Sequence, residues 1–150
     1  TDRGVRTKVQ PQGVILEPLH ALAMAVTLGA GFVARGFSRD IRGLTGLIEE
    51  GVRYKGLALI EVLQPCVTYN DKNTYRWYAE RIYDVSGDTG YDPSNRIAAI
   101  EKCLEWGERI PTGILYRIPR ETFAERSGIA PRQRPVPQCP DIRELINEYL

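Results

Sequence analysis

The chain has one histidine and three cysteines in 150 residues, and its 20 basic side chains are offset by 19 acidic ones. Each scarcity excludes something. A net charge of +1 lacks the basic excess with which nucleic-acid binders displace counterions. It gives no reason to expect recruitment by global charge either. Cys66, Cys103 and Cys139 are odd in number and widely spaced, with no CxxC pair. They form neither the disulfide framework of a small secreted domain nor a locally complete zinc or iron–sulfur site, and a reducing, cytoplasmic setting is expected. The longest apolar stretch, residues 19–34, is broken by His20, Thr27 and two glycines and is too short to span a bilayer. No basic-then-apolar leader opens the chain. It begins at Thr1 and not at methionine, as expected of a processed product or a fragment.

What is present is ordinary globular material: 43% hydrophobic and 26% charged residues, enough to bury one core. Residues 1–15 read as a loop. A helix is expected from Pro18, a residue suited to the first turn, with Leu19, Leu22, Ala23 and Val26 at helical spacing. Gly29 and Gly31 break it, and residues 32–34 read as a short strand. Ser38 is a candidate N-cap, with Asp40 in the first turn of a helix striped by Ile41, Leu44, Leu47, Ile48 and Val52. Lys55-Gly56 stops that helix. Residues 57–63 are nearly all apolar, as expected of a strand covered on both faces of a parallel sheet.

Further along, residues 74–82 predict one helix, Asp92-Pro93 the N-cap and first residue of another, and Ile97, Ile100 and Leu104 its apolar face. Residues 113–118 read as a strand. The alternation of helix and strand predicts an α/β fold with a mainly parallel sheet and flanking helices over residues 1–118. Residues 119–150 form a second region. Five of the ten prolines lie in residues 119–140, which predict an extended Pro/Arg-rich carboxyl-terminal arm. A short helix is expected over 141–150.

The chemistry-bearing residues are few. Gly29-Ala30-Gly31-Phe32-Val33-Ala34 matches the letters of a dinucleotide fingerprint, but it runs helix–turn–strand. Pyrophosphate binding needs strand, glycine turn and then a helix N-terminus. His20 would have to serve any Ser/His/Asp triad, and no GxSxG or HExxH motif accompanies it; a packing or surface role is expected. The pairs Glu49/Glu50 and Glu105/Glu108 fall on expected solvent faces and receive no acid–base role. Cys103 reads as a small buried hydrophobe, and Cys139 as an accessible thiol of no assigned role. Cys66 differs. It follows a strand and Pro65 at the carboxyl edge of the sheet, where open α/β folds place ligands.

The runs Gly31 to Asp40, Leu47 to Gly51 and Lys55 to Asn70, followed by Asp92 to Arg96 and Ile110 to Gly113, resemble the β subunit of 2-oxoacid:ferredoxin oxidoreductases. Pro65-Cys66-Val67-Thr68-Tyr69-Asn70 is the most specific part, and the likeness covers roughly residues 1–125. It is nearer to the 2-oxoglutarate-type or broad-specificity branch than to the pyruvate branch. The resemblance implies the carboxyl-terminal half of a thiamine diphosphate-binding, Rossmann-like subunit. Such a subunit takes part in decarboxylating a 2-oxoacid on thiamine diphosphate with Mg²⁺. Electrons then pass through a [4Fe-4S] cluster to ferredoxin, and an acyl-CoA is released. Of the cluster's cysteine ligands, the resemblance carries Cys66 onto this chain.

The family's Gly-Asp-Gly-Asp motif for Mg²⁺ and diphosphate is absent, so no thiamine or Mg²⁺ ligand is carried over. Glu17-Pro18 stands where the family has Asn-Pro. The implied partners are an amino-terminal half of the β subunit, an α subunit, ferredoxin, the 2-oxoacid and coenzyme A. The basic stretch with Arg120, Arg126, Arg132 and Arg134 is expected to be a subunit-interface or solvated tail, with contact to acidic ferredoxin as the alternative. Taken alone, the 150 residues have a second reading, as a catalytically silent structural or assembly domain. Half of a doubly wound sheet exposes an edge and an apolar face, which is a route to a homodimer.

Overall fold

The computed structural model describes residues 3–128. The chain divides into two compact units, residues 1–120 and 121–150. Among the described residues the first unit holds four α-helices, four strands and a short 3-10 turn (Val85–Gly87): α1 (Ala21–Thr27), β1 (Phe32–Phe37), α2 (Ile41–Arg53), β2 (Ala58–Leu63), α3 (Tyr75–Ala79), β3 (Ile82–Asp84), α4 (Arg96–Leu104) and β4 (Ile110–Arg117). The described part of the second unit contains α5 (Phe123–Arg126), closed by a capping box in which Thr122 and Glu125 bond each other's amides. The stretch expected to be extended therefore carries a helical turn. The rest of the expected arm, with Arg132, Arg134 and Cys139, and the expected helix over 141–150 lie outside the described residues.

The sheet order is β2-β1-β4-β3. β1 runs parallel to β2, and β3 parallel to β4, while β1 and β4 are antiparallel. Two of three pairings are parallel, as the helix–strand alternation predicts. The antiparallel seam is not legible from that alternation. It shifts register between Val33 and Ala34, where Leu115 is passed over as a bulge.

The covered strand is β1 and not β2. All six residues of β1 are buried, three more than the expected 32–34 strand. β2 pairs on one side only and is mostly half-buried, so the expectation that it is covered on both faces is corrected. Position in the sheet decides this: a continuous apolar run suits a centre strand, yet β2 sits at the edge.

On one face of the sheet α1 and α4 pack together over Val33 and Leu115, burying Leu22, Val26, Ala99 and Cys103. The expected apolar face of α4 is rotated. Ala99 and Cys103 point inward, Ile100 is half-buried, and Ile97 and Leu104 are exposed. Small residues let α4 lie close to α1. On the other face α2 crosses β1 and β2 through two tight contacts. A Cβ on Gly36 would fall 2.8 Å from Leu44 Cδ1, and one on Gly51 2.9 Å from Ile60 Cδ1. Gly29, at φ +95°, makes the reversal between α1 and β1, a conformation costly for any residue with a Cβ.

Helix starts differ from the sequence expectation for local reasons. The first helical bond of α1 is Met24 N to His20 O at 3.0 Å, so the helix begins one turn past its Pro18. Ser38 is not the cap of α2: its amide donates to Leu63 O at 3.0 Å and extends the β1–β2 ladder. Asp40 caps instead, accepting from Gly43 N at 3.0 Å. Asp92 closes a turn onto Ser94 N at 2.8 Å, and Asn95 caps α4 through Ile97 N and Ala98 N. The expected helix over 74–82 stops at Ala79, because Ile110 N donates to Arg81 O and draws Ile82–Asp84 into a parallel pair with β4.

Cys103 is 3% exposed, and burial pushes its thiol up to about 11. Cys66 is an exposed free thiol. Under native conditions at pH 8, iodoacetamide is expected to modify Cys66 while Cys103 stays unmodified until the chain unfolds, read by peptide mass spectrometry. Equal labelling of the two in the folded chain contradicts this packing.

Candidate functional site

The carboxyl end of β2 opens into a concavity of about 440 Å³. Its walls come from β2 and the turn after it (Glu61 to Cys66), from the amino-terminal loop (Thr7, Val9, Gln10), from Tyr69, Asn70 and Asn73, and from Tyr78 and Trp106. Pro65 is buried and ends the strand, and the chain emerges at Cys66. There the backbone folds into a turn: Cys66 O accepts from Tyr69 N at 3.3 Å and from Asn70 N at 2.9 Å. Asn70 Oδ1 accepts from the amides of Lys72 and Asn73, and Asn70 Nδ2 donates to Asn73 Oδ1 at 3.1 Å. An asparagine is suited to such a turn because its side chain mimics a backbone acceptor. Lys8 N donates to Tyr69 O at 3.2 Å, which fastens the amino-terminal loop to the rim.

The wall behind the thiol is aromatic. Tyr78 meets Trp77 edge-on at 4.9 Å and Trp106 at 6.2 Å, and Phe37 lies 6.0 Å from Tyr75 and 5.9 Å from Tyr78. Beneath it sits Arg35, the buried charge among the described residues, whose side chain is 4% exposed. Its Nε donates to Glu61 Oε2 at 2.6 Å and its two terminal nitrogens reach Cys103 O at 3.1 Å and Pro111 O at 3.4 Å. Its guanidinium lies 5.6 Å from the Trp106 ring centre. Glu61 thereby presents a held carboxylate to the concavity. The sequence reading passed over this pair. Its one signal was a charge in each of two otherwise apolar strands.

A second, smaller concavity of about 200 Å³ shares Glu61 and Trp106 with the first and is lined by His20, Arg35 and Cys103 among others. His20 is exposed just before α1, and among the described residues no hydrogen bond to a serine or carboxylate makes it part of a triad. Of the carboxylate pairs, Glu49 bonds Arg53 within α2, Glu50 pairs with Arg117, and Glu105 accepts from Tyr83 and Lys102. All three have structural partners. Gly29–Ala34 runs helix, turn, strand, the wrong order for pyrophosphate. Among the described residues no three His, Cys, Asp or Glu side chains come together as metal ligands, so Cys66 stands there as a single donor. An exposed thiol beside an open cavity has the chemistry and the room for one thiolate bond to an iron–sulfur cluster. No described residue forms a carboxylate set suited to Mg²⁺ and diphosphate.

Comparison with known proteins locates this architecture. The family model for the C-terminal part of the pyruvate ferredoxin oxidoreductase beta subunit matches residues 66–130. The β subunit of a 2-oxoacid:ferredoxin oxidoreductase from Sulfolobus sp is 44% identical over 124 residues, covering 77% of this chain and 41% of that subunit. One from Aeropyrum pernix is 41% identical over 132 residues, covering 81% and 43%. A 2-oxoglutarate oxidoreductase subunit from Mycobacterium tuberculosis is 35% identical over 68 residues, covering 45% and 18%. Among solved structures, the 2-oxoglutarate:ferredoxin oxidoreductase from Magnetococcus marinus, determined with 2-oxoglutarate, coenzyme A and succinyl-CoA bound, superposes with a TM-score of 0.74 at 24% identity. The match covers all of this chain and 51% of that one, and it shows a shared fold. The chain thus spans about two fifths of the length of the curated relatives named first.

Proposed function

The chain belongs with the β subunits of 2-oxoacid:ferredoxin oxidoreductases, and from that premise we propose that it is the carboxyl-terminal part of such a subunit and supplies one cluster ligand, Cys66. The observation that carries the ligand assignment is the exposed thiol at the end of β2, at the mouth of a concavity. Thiolates hold iron–sulfur clusters from distant points of a chain. The parent enzyme converts a 2-oxoacid and coenzyme A into an acyl-CoA, carbon dioxide and a proton, and two electrons pass to ferredoxin. Similarity to 2-oxoglutarate-acting relatives supports 2-oxoglutarate or a close analogue as the acid.

Thiamine diphosphate supplies the carbanion chemistry of decarboxylation, and the [4Fe-4S] cluster supplies the one-electron steps. The part this chain's own residues play is to hold the cluster side of that path. Pro65 and the Cys66–Asn70 turn fix the backbone that bears the thiol. Arg35 and Glu61 anchor the wall beneath it. The ligands for Mg²⁺ and diphosphate, and the remaining cluster cysteines, are assigned to an amino-terminal half of the β subunit. The assembly is completed by an α subunit. In this reading residues 1–118 are the carboxyl-terminal part of the thiamine diphosphate-binding domain and residues 119–150 an appended arm. The 150 residues taken alone are catalytically silent, and a homodimer through the free β2 edge is the assembly expected of them.

Substituting Cys66→Ser in the complete enzyme tests the ligand. The expected result is loss of cluster iron from the β subunit and of its electron paramagnetic resonance signal, with ferredoxin reduction falling by at least about a hundredfold. Full cluster iron with unimpaired ferredoxin reduction removes the assignment.

A further inference from the structure

Resting on the reading above, we propose that Glu61 tunes the electron-transfer step: its carboxylate, fixed in the wall beneath Cys66, holds the reduction potential of the cluster low. Among the described residues that line the concavity at Cys66, Glu61 is the one charged side chain. The others are apolar, or are neutral amides, hydroxyls and the thiol itself. The fold anchors this charge. Glu61 lies directly opposite Arg35 in the parallel β1–β2 register, and its Oε2 accepts from Arg35 Nε at 2.6 Å. Its Oε1 accepts no bond among the described residues, and the side chain keeps 32% exposure. One oxygen is held, and the carboxylate stays at the cavity wall.

The counter-charge does not share that wall. Arg35 is 4% exposed, lines the smaller concavity and not this one, and gives its terminal nitrogens to Cys103 O and Pro111 O. The larger concavity therefore faces the negative end of the pair. Lys8, Asp71 and Lys72 belong to the loop and turn around the mouth, but they are exposed, and water and salt screen exposed charges. One-electron reduction of a cluster held by Cys66 adds a negative charge. A fixed carboxylate nearby disfavours the reduced form and makes it a stronger donor, which suits delivery to a low-potential carrier. Two unit charges about 10 Å apart, roughly the width of a 440 Å³ concavity, shift such an equilibrium about tenfold at an effective dielectric constant of about 20. Removing the carboxylate removes this contribution, whatever part of it Arg35 offsets.

The test uses the complete enzyme with three variants. Glu61→Gln keeps the shape and an acceptor for Arg35, Glu61→Asp keeps the charge, and Glu49→Gln on α2 is the control. The readout is a potentiometric titration of the β-subunit cluster followed by electron paramagnetic resonance. In Glu61→Gln the reduction equilibrium is expected to shift about tenfold toward the reduced form, an upward move of about 59 mV for a one-electron couple. Iron content and signal shape are retained, and reduction of a low-potential ferredoxin slows. Glu61→Asp and Glu49→Gln stay near the wild-type potential. An unchanged potential in Glu61→Gln overturns the proposal. So does an equal rise in Glu61→Asp, which assigns the effect to geometry and not to charge. Loss of cluster iron from Glu61→Gln also overturns it, since the residue is then structural. Failure of the functional reading is distinct: it shows as a β-subunit cluster that survives Cys66→Ser.

Discussion

Replacing Arg35 by alanine is expected to destabilise the fold by about 3–5 kcal/mol, the usual cost of removing one partner from a buried pair. The guanidinium is 4% exposed and holds Glu61 at 2.6 Å while serving Cys103 O and Pro111 O. Without it, the Glu61 carboxylate keeps its half-buried position and loses its counter-charge, and two interior carbonyls lose a donor. Because the whole stability of such a domain is only about 5–15 kcal/mol, the variant is expected to lose much of its folded population at 37 °C. Urea denaturation followed by far-ultraviolet circular dichroism measures the change. The companion experiment separates charge from packing. Arg35→Met combined with Glu61→Leu removes both charges together and is expected to cost clearly less than Arg35→Ala alone, since an apolar pair of similar volume avoids the stranded carboxylate. A double variant as unstable as the single one would show that the two carbonyl bonds, and not the ion pair, dominate.

Phe32→Ala is expected to cost a similar amount, about 3–5 kcal/mol, through the cavity it leaves. Phe32 is the largest fully buried side chain among the described residues. It opens β1 beside Ala58 of β2 and Arg117 of β4, and its ring lies 5.6 Å from Tyr54 and 5.9 Å from the Arg117 guanidinium. The site has little room to collapse. Tyr54 is tied through its hydroxyl to Ile118 O at 2.7 Å, and a Cβ on the neighbouring Gly31 would fall 1.9 Å from that same hydroxyl oxygen. Phe32→Leu, which keeps most of the volume, is expected to cost less than half as much. If both variants melt within about a degree of the wild type, the core does not close around this ring.

The candidate site was readable only in part before the fold was known. Cys66 drew attention because a cysteine directly after a strand and a proline has a predictable place, the carboxyl edge of the sheet. Arg35 and Glu61 did not, because they lie 26 residues apart and their pairing exists only once β1 and β2 align in register.

The sequence by itself determined what local chemistry decides. Apolar periodicity placed α2 and β2 to within a few residues. Glycine after a helix marked the reversals at Gly29 and Gly56. The small side chain of Cys103 within a helix marked it for burial. The tertiary structure alone decided which strand is central, that β1 and β4 run antiparallel, and that Ile82–Asp84 is a strand at all. The reason is physical. Strand position and direction are settled by hydrogen bonds between segments far apart in the chain, and three residues such as Ile82, Tyr83 and Asp84 carry no periodicity of their own until β4 supplies the ladder they join.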